Sequence, residues 1–384
     1  MLKSKISLKY ILPVLLSFFV ASFCDLVGIG VDRVKSDFEL SNTLVQLIPS
    51  VVFLWFFILS VPVGILQDRI GKRNVLNIGI LITLIGMLLP FFFYSFTMIL
   101  TGFAFLGIGN TIVQVSANPL LVDVVPSSHR SSYLSLSQFV KSVGSMIAAP
   151  LAGWFAIYYG DWKFLFLAFG LVSLIAIIWL TSTKIEETKN IEQRATFISS
   201  FKLLGNSFIA IMVLGIFLIV GIDVGVNSVS GQYLLSKFGS EQTLAESGRS
   251  IYFFGKMLGT FGGAILLAKI SSRKFFIWSS IIGLVSISLL FIIPSENMAL
   301  IIIFIIGLGL SNIFPLIYSL TVEQYPTRAN EISGLMIMAI SGGAFLPLLM
   351  GLVSDLYNVG TSIIVLILAV SVILITSLKV AKKA

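Results

Sequence analysis

The stretch LSLSQFVKSVGSMIAAPLAGWF, residues 134–155, is almost wholly apolar or small, and one lysine, Lys141, interrupts it. About 20 apolar residues in a helix cross the hydrocarbon core of a bilayer, so this stretch predicts a membrane-spanning helix. A charge inside hydrocarbon is costly, and such a residue usually pairs with an opposite charge or lines a pathway. The role of Lys141 is therefore the first question that the sequence raises.

The composition extends this interpretation to the whole chain of 384 residues. The chain is 57% hydrophobic and 11% charged, with a mean hydropathy of +1.04, whereas soluble domains carry about 25% charged residues. Cys24 is the only cysteine and His129 the only histidine, which excludes an intrachain disulfide and a metal site built on two histidines. Catalytic signatures such as H-E-x-x-H and G-x-S-x-G are absent from the sequence. We expect an integral membrane protein without metal, cofactor or catalytic residues, and not an enzyme.

Twelve stretches are long and apolar enough to be transmembrane helices. A polar and charged segment, 183–203, separates the sixth from the seventh. The sequence predicts an all-α membrane protein with two six-helix halves, residues 1–182 and 204–384, joined by a cytoplasmic linker at 183–203. The predicted spans lie at roughly 10–31, 43–67, 74–94, 97–122, 132–159, 162–182, 205–235, 246–268, 275–293, 298–321, 331–355 and 359–378.

The basic residues predict the orientation of these spans. With both termini in the cytoplasm, 18 of the 25 lysines and arginines fall in cytoplasmic segments and 5 in outer segments, while Lys141 and Lys256 lie inside spans. Such an excess on one side follows the positive-inside rule. Topology therefore explains the net charge of +8, and we expect no nucleic-acid partner.

The two halves resemble each other in sequence. Residues 144–153 read GSMIAAPLAG and residues 341–351 read SGGAFLPLLMG, and in both a proline follows the first small residue by six positions. Asp25 in span one and Asp223 in span seven occupy comparable places. The order of these similarities predicts a six-plus-six duplication, as in transporters built from parallel repeats.

A signature loop lies between spans two and three. Residues 64–73, GILQDRIGKR, contain two glycines that permit a tight turn and a close approach of helices. The pattern resembles the signature loop of the major facilitator superfamily, which helps to latch the cytoplasmic side closed; the alternative is ordinary positive-inside charge beside a turn glycine. The resemblance implies a cytoplasmic gate formed by Gly64, Asp68, Arg69, Gly71 and Arg73.

A narrower resemblance covers spans ten and eleven. Residues 311–355, SNIFPLIYSLTVEQYPTRANEISGLMIMAISGGAFLPLLMGLVSD, resemble the fucose–galactose–glucose:proton symporter family, with shorter similarities at QVSANPLL (114–121), SYLSLSQFVKSVGS (132–145) and YFFGKMLGT (252–260). The resemblance implies a secondary active transporter of a hexose or deoxyhexose with protons, working by alternating access as a multi-pass monomer in the bilayer of a bacterial inner membrane. A uniporter without proton coupling is an alternative.

The chain departs from this family in span one, where Gly28 occupies a place at which the family can have an acid, and at three candidate site residues. Gln114 stands where the family often has a glutamate associated with proton coupling, Lys141 where it has an asparagine, and Lys256 where it has an arginine. The family's coupling residue therefore does not carry over.

Each half holds one acid and one base inside its spans: Asp25 with Lys141, and Asp223 with Lys256. They are either structural ion pairs or parts of a solute and proton pathway. Because Gln114 cannot titrate, we expect proton coupling at Asp25 or Asp223. The candidate solute-binding residues combine the lysines with amides that can bond a sugar or support helix packing: Lys141, Gln138, Gln114, Asn227, Gln232, Asn312 and Lys256.

The partner of Lys141 separates two classes of solute. If Asp25 neutralises Lys141, the solute is a neutral hexose or deoxyhexose. If Asp25 points elsewhere, Lys141 and Lys256 together favour an anionic solute such as a sugar acid. On the family resemblance we favour the neutral sugar; a membrane enzyme, a channel and a non-transporting sensor are the competing classes.

Overall fold

The computed structural model describes residues 8–40, 47–187, 197–240 and 242–382. Within these residues every regular element is helical, which confirms the all-α prediction. The α-helices are α1 Leu8–Ala21, α2 Val27–Asp37, α3 Leu47–Ile70, α4 Lys72–Phe92, α5 Phe96–Val124, α6 Arg130–Tyr159, α7 Phe164–Ser182, α8 Phe197–Lys202, α9 Ser207–Phe238, α10 Gln242–Leu266, α11 Ser272–Ile292, α12 Glu296–Leu310, α13 Ile313–Gln324, α14 Ala329–Met338, α15 Gly342–Leu356 and α16 Val359–Lys382.

Among the described residues, 11 helical stretches are long and apolar enough to cross a membrane. The remaining predicted span, 246–268, falls on α10, which has 25 residues. This helix is less apolar because Arg249 and Lys256 interrupt it. Side chains such as Ile157, Leu356 and Leu368, which are 78%, 77% and 63% exposed, form the apolar outer surface that a lipid environment requires.

Three of the spans are broken into shorter helices. A 3₁₀ turn, Ser22–Leu26, separates α1 from α2, and another, Ala339–Ser341, separates α14 from α15. A turn at Ser311 and Asn312 separates α12 from α13. Short 3₁₀ segments inside helices often mark functional hinges, and broken helices frequently border the binding sites of transporters.

The chain forms two compact units. The first comprises Met1–Ser127, Val140–Leu203 and Tyr325–Met338. The second comprises Ser128–Phe139, Leu204–Gln324 and Ala339–Ala384. The boundary between the units thus runs through α6 and between α14 and α15. The predicted halves, 1–182 and 204–384, follow the order of the spans instead, and this division into halves stays a prediction.

Small residues allow the helices to pack closely inside each unit. In the first unit, a Cβ added to Gly86 of α4 would lie 2.8 Å from the carbonyl oxygen of Gly102 in α5. In the second unit, Gly307 of α12 lies directly against the carbonyl oxygen of Tyr252 in α10. Close backbone contact of this kind is the usual means of helix association in membranes.

Candidate solute and proton sites

Asp25 and Ser145 form the polar centre of the first unit. Asp25 lies in the 3₁₀ turn Ser22–Leu26, and its Oδ2 accepts a hydrogen bond of 2.5 Å from Ser145 Oγ of α6. Lys141, one turn before Ser145, is half-buried. In the part of the chain that the structure describes, no ion pair within 4.0 Å joins Lys141 to Asp25. A direct ion pair with Asp25, which was one of the two alternatives for Lys141, is therefore not found there.

The position of Asp25 follows from the packing of α6 against this turn. Gly144 lies so close to Ser22 that an added Cβ would be 2.8 Å from the Ser22 Cβ. This approach brings the next residue, Ser145, to the Asp25 carboxylate. Lys141 and Ser145 are one turn apart on the same face of α6, so the ammonium lies on the side of the helix that carries the bond to Asp25.

Asp223 is the centre of a polar cluster in the second unit. Its Oδ2 lies 2.6 Å from Lys256 Nζ, and the two side chains are 20% and 21% exposed. Its Oδ1 accepts a hydrogen bond from the hydroxyl of Tyr252. Tyr252 was not among the predicted site residues, although its place one turn before Lys256 puts both side chains on one face of α10. Here the acid and the base do form an ion pair.

Gln114 belongs to a chain of buried amides in the first unit. Its Nε2 donates a hydrogen bond of 2.8 Å to Asn110 Oδ1, and Asn110 Nδ2 donates one of 3.1 Å to the carbonyl oxygen of Ala21. This chain ends at the last residue of α1, beside the turn that carries Asp25. Asn110 was missed in the sequence because nothing distinguishes it from an amide that supports helix packing.

The amides predicted in the second unit lie in different surroundings. Asn312 is 1% exposed, and its Nδ2 donates a 2.7 Å hydrogen bond to the carbonyl oxygen of Gly259, which is typical of helix packing. Asn227, one turn after Asp223, has a buried Oδ1 without a hydrogen-bond partner among the described residues. Gln138 is half-buried in α6, and the side chain of Gln232 lies outside the described part of the structure.

The predicted gate residues connect α3 with α14 inside the first unit. The Asp68 carboxylate accepts a hydrogen bond from Asn330 Nδ2. A Cβ added to Gly64 would lie 2.8 Å from the carbonyl oxygen of Asn330 and 3.4 Å from the Cα of Gly334, so the two helices touch through their backbones. Gly71 has a φ of +88°, which explains why glycine occupies this turn.

The basic residues of the same loop bond to the ends of α5 and α7. Lys72 Nζ lies 2.6 Å from Asp123 Oδ2, and these side chains are 5% and 8% exposed. Arg73 Nη2 donates a 3.0 Å hydrogen bond to the carbonyl oxygen of Thr181, whereas Arg69 is exposed. The loop is thus fixed at both neighbouring helix ends.

The linker contributes two contacts that the sequence did not predict. Glu187 accepts hydrogen bonds of 2.6 and 3.0 Å from the backbone N–H groups of Lys72 and Arg73, at the N-terminus of α4. A carboxylate is favourable there because the helix dipole is positive. Ser199 of α8 donates a 2.5 Å hydrogen bond to Glu331 Oε1 of α14. The linker therefore bonds to α4, which follows the signature loop, and to α14, which contains Asn330, the partner of Asp68.

A polar cluster joins Asp37, Tyr94 and Trp162 in the first unit. Asp37 Oδ2 accepts hydrogen bonds of 2.5 Å from the Tyr94 hydroxyl and 3.0 Å from Trp162 Nε1. Burial, and secondarily the bond to Asp37, raise the pKa of Tyr94 far above its usual range. The hydroxyl therefore remains a donor at physiological pH.

The second unit also contains a cavity of about 320 Å³, whose lining includes none of the predicted solute residues. It is lined by Phe208, Arg273, Leu320, Glu323, Gln324 and Val380. Among the described residues, no three His, Cys, Asp or Glu side chains form a group that could hold a metal ion.

Comparison with known proteins gives a family match and several similar transporters. The model of the family described as Major Facilitator Superfamily matches residues 13–248 and 212–383. The glucose/galactose transporter of Brucella abortus is 27% identical over 88% of this chain and 86% of its own length. The sialic acid transporter NanX of Escherichia coli is 25% identical over 89% and 86%, respectively.

The fold is similar to that of a solved membrane protein. The crystal structure of a variant of the E. coli fucose:proton symporter FucP superposes with a TM-score of 0.83 over 97% of this chain and 99% of that one, at 20% sequence identity. At this identity the likeness shows the fold alone.

Proposed function

The chain belongs to the major facilitator superfamily, and we propose that it is a secondary active transporter that moves a hexose or a hexose derivative together with protons by alternating access. The lipid bilayer is its environment. We place it in a bacterial inner membrane as a monomer, with both termini in the cytoplasm and without catalytic chemistry. A uniporter without proton coupling is the second candidate.

One observation carries this proposal: charged groups are kept inside the spans of both units. Asp223 and Lys256 are each about one fifth exposed, and Asp25 and Lys141 are half-buried. Ionisable side chains at such positions are costly in hydrocarbon and usually border a cavity or a proton path. Structural ion pairs alone would gain little, because desolvation offsets much of their attraction.

The names of the similar proteins support a sugar-type solute and a proton as its partner. One is named for glucose and galactose, another for sialic acid, and the solved structure for fucose and protons. Because Gln114 cannot titrate, we assign proton coupling to Asp25 or Asp223. The proposed binding residues remain Lys141, Gln138, Gln114, Asn227, Gln232, Asn312 and Lys256, of which Asn312 has the strongest structural role in helix packing.

The contact of Asp68 with Asn330 supports a cytoplasmic gate. It joins the signature loop to α14 through a carboxylate, and Gly64 permits the backbone contact beside it. A hydrogen bond to a charged group contributes about 1.5–3 kcal/mol. Contacts of this strength can be broken and re-formed in a transport cycle.

Counterflow in proteoliposomes tests the proposal. Vesicles containing the purified chain are loaded with one unlabelled compound from a panel of neutral sugars, sugar acids and amino sugars, and entry of the labelled compound is followed. We expect rapid counterflow for at least one member. Absence of counterflow for the whole panel, with protein of normal monodispersity, would contradict the proposal.

A further inference from the structure

The two lysines inside spans differ in how their charge is balanced. Lys256 has a carboxylate oxygen of Asp223 at 2.6 Å. Lys141 has no carboxylate within 4.0 Å among the described residues, and the nearby Asp25 directs its Oδ2 to Ser145. The described part of the first unit therefore leaves this half-buried ammonium without a direct ion pair.

We infer that Lys141 binds a carboxylate of the solute, so that the transported compound is a sugar acid and not a neutral hexose. The inference rests on the proposed function and narrows its solute class. It also replaces the neutral sugar that the family resemblance favoured, because Lys141 is a position at which this chain departs from that family.

The Asp25 carboxylate already has a hydrogen-bond donor on α6 other than Lys141. Gly144 fixes α6 against Ser22, and Ser145 bonds the Asp25 carboxylate from the same face. Pairing with Lys141 would have to compete with this hydrogen bond. A solute that brings its own carboxylate neutralises the ammonium and leaves the bond between Ser145 and Asp25 in place.

A carboxylate also satisfies Lys141 better than hydroxyl groups do. An ammonium has three donors and a fixed charge. Hydroxyls can accept its hydrogen bonds, but they bring no opposite charge to this half-buried ammonium, and burial makes an unpaired charge costly. A carboxylate supplies hydrogen-bond acceptors and the opposite charge together.

Binding of a solute carboxylate at Lys141 affects the net charge that crosses the membrane with each transported solute. A solute carboxylate balances Lys141, which leaves Asp25 or Asp223 to carry the coupled proton. Import of one monoanion with one proton transfers no net charge, whereas import of a neutral sugar with one proton transfers one positive charge. The dependence of uptake on membrane potential therefore provides a second readout.

The experiment compares galacturonate with galactose in proteoliposomes containing the full chain. We expect counterflow of galacturonate, little competition by galactose, and initial rates that an imposed membrane potential changes by less than about twofold. Lys141→Asn and Lys141→Met should weaken galacturonate binding by about tenfold or more, which corresponds to about 1.4 kcal/mol, and Lys141→Arg should retain most of it. Lys274→Met, an exposed lysine at the start of α11, is the matched control and should behave like the wild type.

The possible outcomes distinguish a failure of the carboxylate inference from a failure of the proposed function. Counterflow of galactose without galacturonate overturns the inference and leaves the proposed function intact. Failure of both probes and of the wider sugar panel overturns the proposed function itself. Unchanged galacturonate affinity in Lys141→Asn, a conservative variant whose monodispersity is checked, shows that Lys141 is not the carboxylate site.

Discussion

The Asp68 carboxylate near the C-terminal end of α3 accepts a hydrogen bond from the amide of Asn330 in α14, 262 positions later in the chain. Both residues lie in the first compact unit. The signature loop is therefore bonded directly to the first half of the eleventh span. If the signature loop forms the proposed cytoplasmic gate, we expect this bond to break when the gate opens.

Asp68→Asn should reduce transport about tenfold while leaving expression and solute binding nearly unchanged. The substitution removes the charged acceptor, and a hydrogen bond to a charge contributes about 1.5–3 kcal/mol. Uptake rates and calorimetric binding measure the two effects. Glu323→Gln, an exposed carboxylate at the end of α13, is the control. Wild-type rates in Asp68→Asn would mean that the loop serves topology alone.

Gly71→Ala should destabilise the protein by about 1–3 kcal/mol, because the residue has a φ of +88° and a ψ of 151°, a region that only glycine enters easily. An added Cβ would also approach Glu187 Oε2 to 3.0 Å. Thermal unfolding in detergent measures the change. Gly205→Ala, where an added Cβ meets nothing within 4 Å, should leave the melting temperature within the experimental error. Equal melting temperatures for both variants would contradict this explanation of the turn.

Glu187→Gln should lower stability by about 0.3–1 kcal/mol, the usual contribution of a carboxylate at a helix N-terminus. The loss should shrink in high salt if it is electrostatic. Melting curves at low and high ionic strength test this. A salt-independent loss would indicate that the hydrogen bonds to Lys72 and Arg73, and not the charge, hold the linker in place.

Labelling of single cysteines tests the orientation. In a Cys24→Ser background, Lys184→Cys should react only with reagents on the cytoplasmic side and Asn297→Cys only with those outside, since both positions are exposed and the intervening spans are odd in number. Reaction of both from one side would rule out the twelve-span topology.

The sequence predicted the membrane helices well because hydropathy and length are local properties, and the family match and the fold comparison confirm the major facilitator architecture. It also indicated where charge is confined, as with Asp223 and Lys256. It could not show that Ser145 donates a hydrogen bond to the Asp25 carboxylate, because that contact depends on a 3₁₀ turn and on the close approach of Gly144 to Ser22. The hydrogen bonds of Glu187 could not be predicted either, because a linker carboxylate belongs to no periodic pattern that indicates its partner.

The measurement that tests the central claim most directly is solute-driven proton movement. Proteoliposomes containing a trapped pH indicator receive the sugar or sugar acid that counterflow identifies, and internal acidification is recorded. We predict acidification with the wild type and with Asp161→Asn, a control outside the spans. We further predict its loss in Asp25→Asn or Asp223→Asn, with counterflow retained. Solute entry without any proton movement in the wild type, or undiminished acidification in both single variants, would contradict the account.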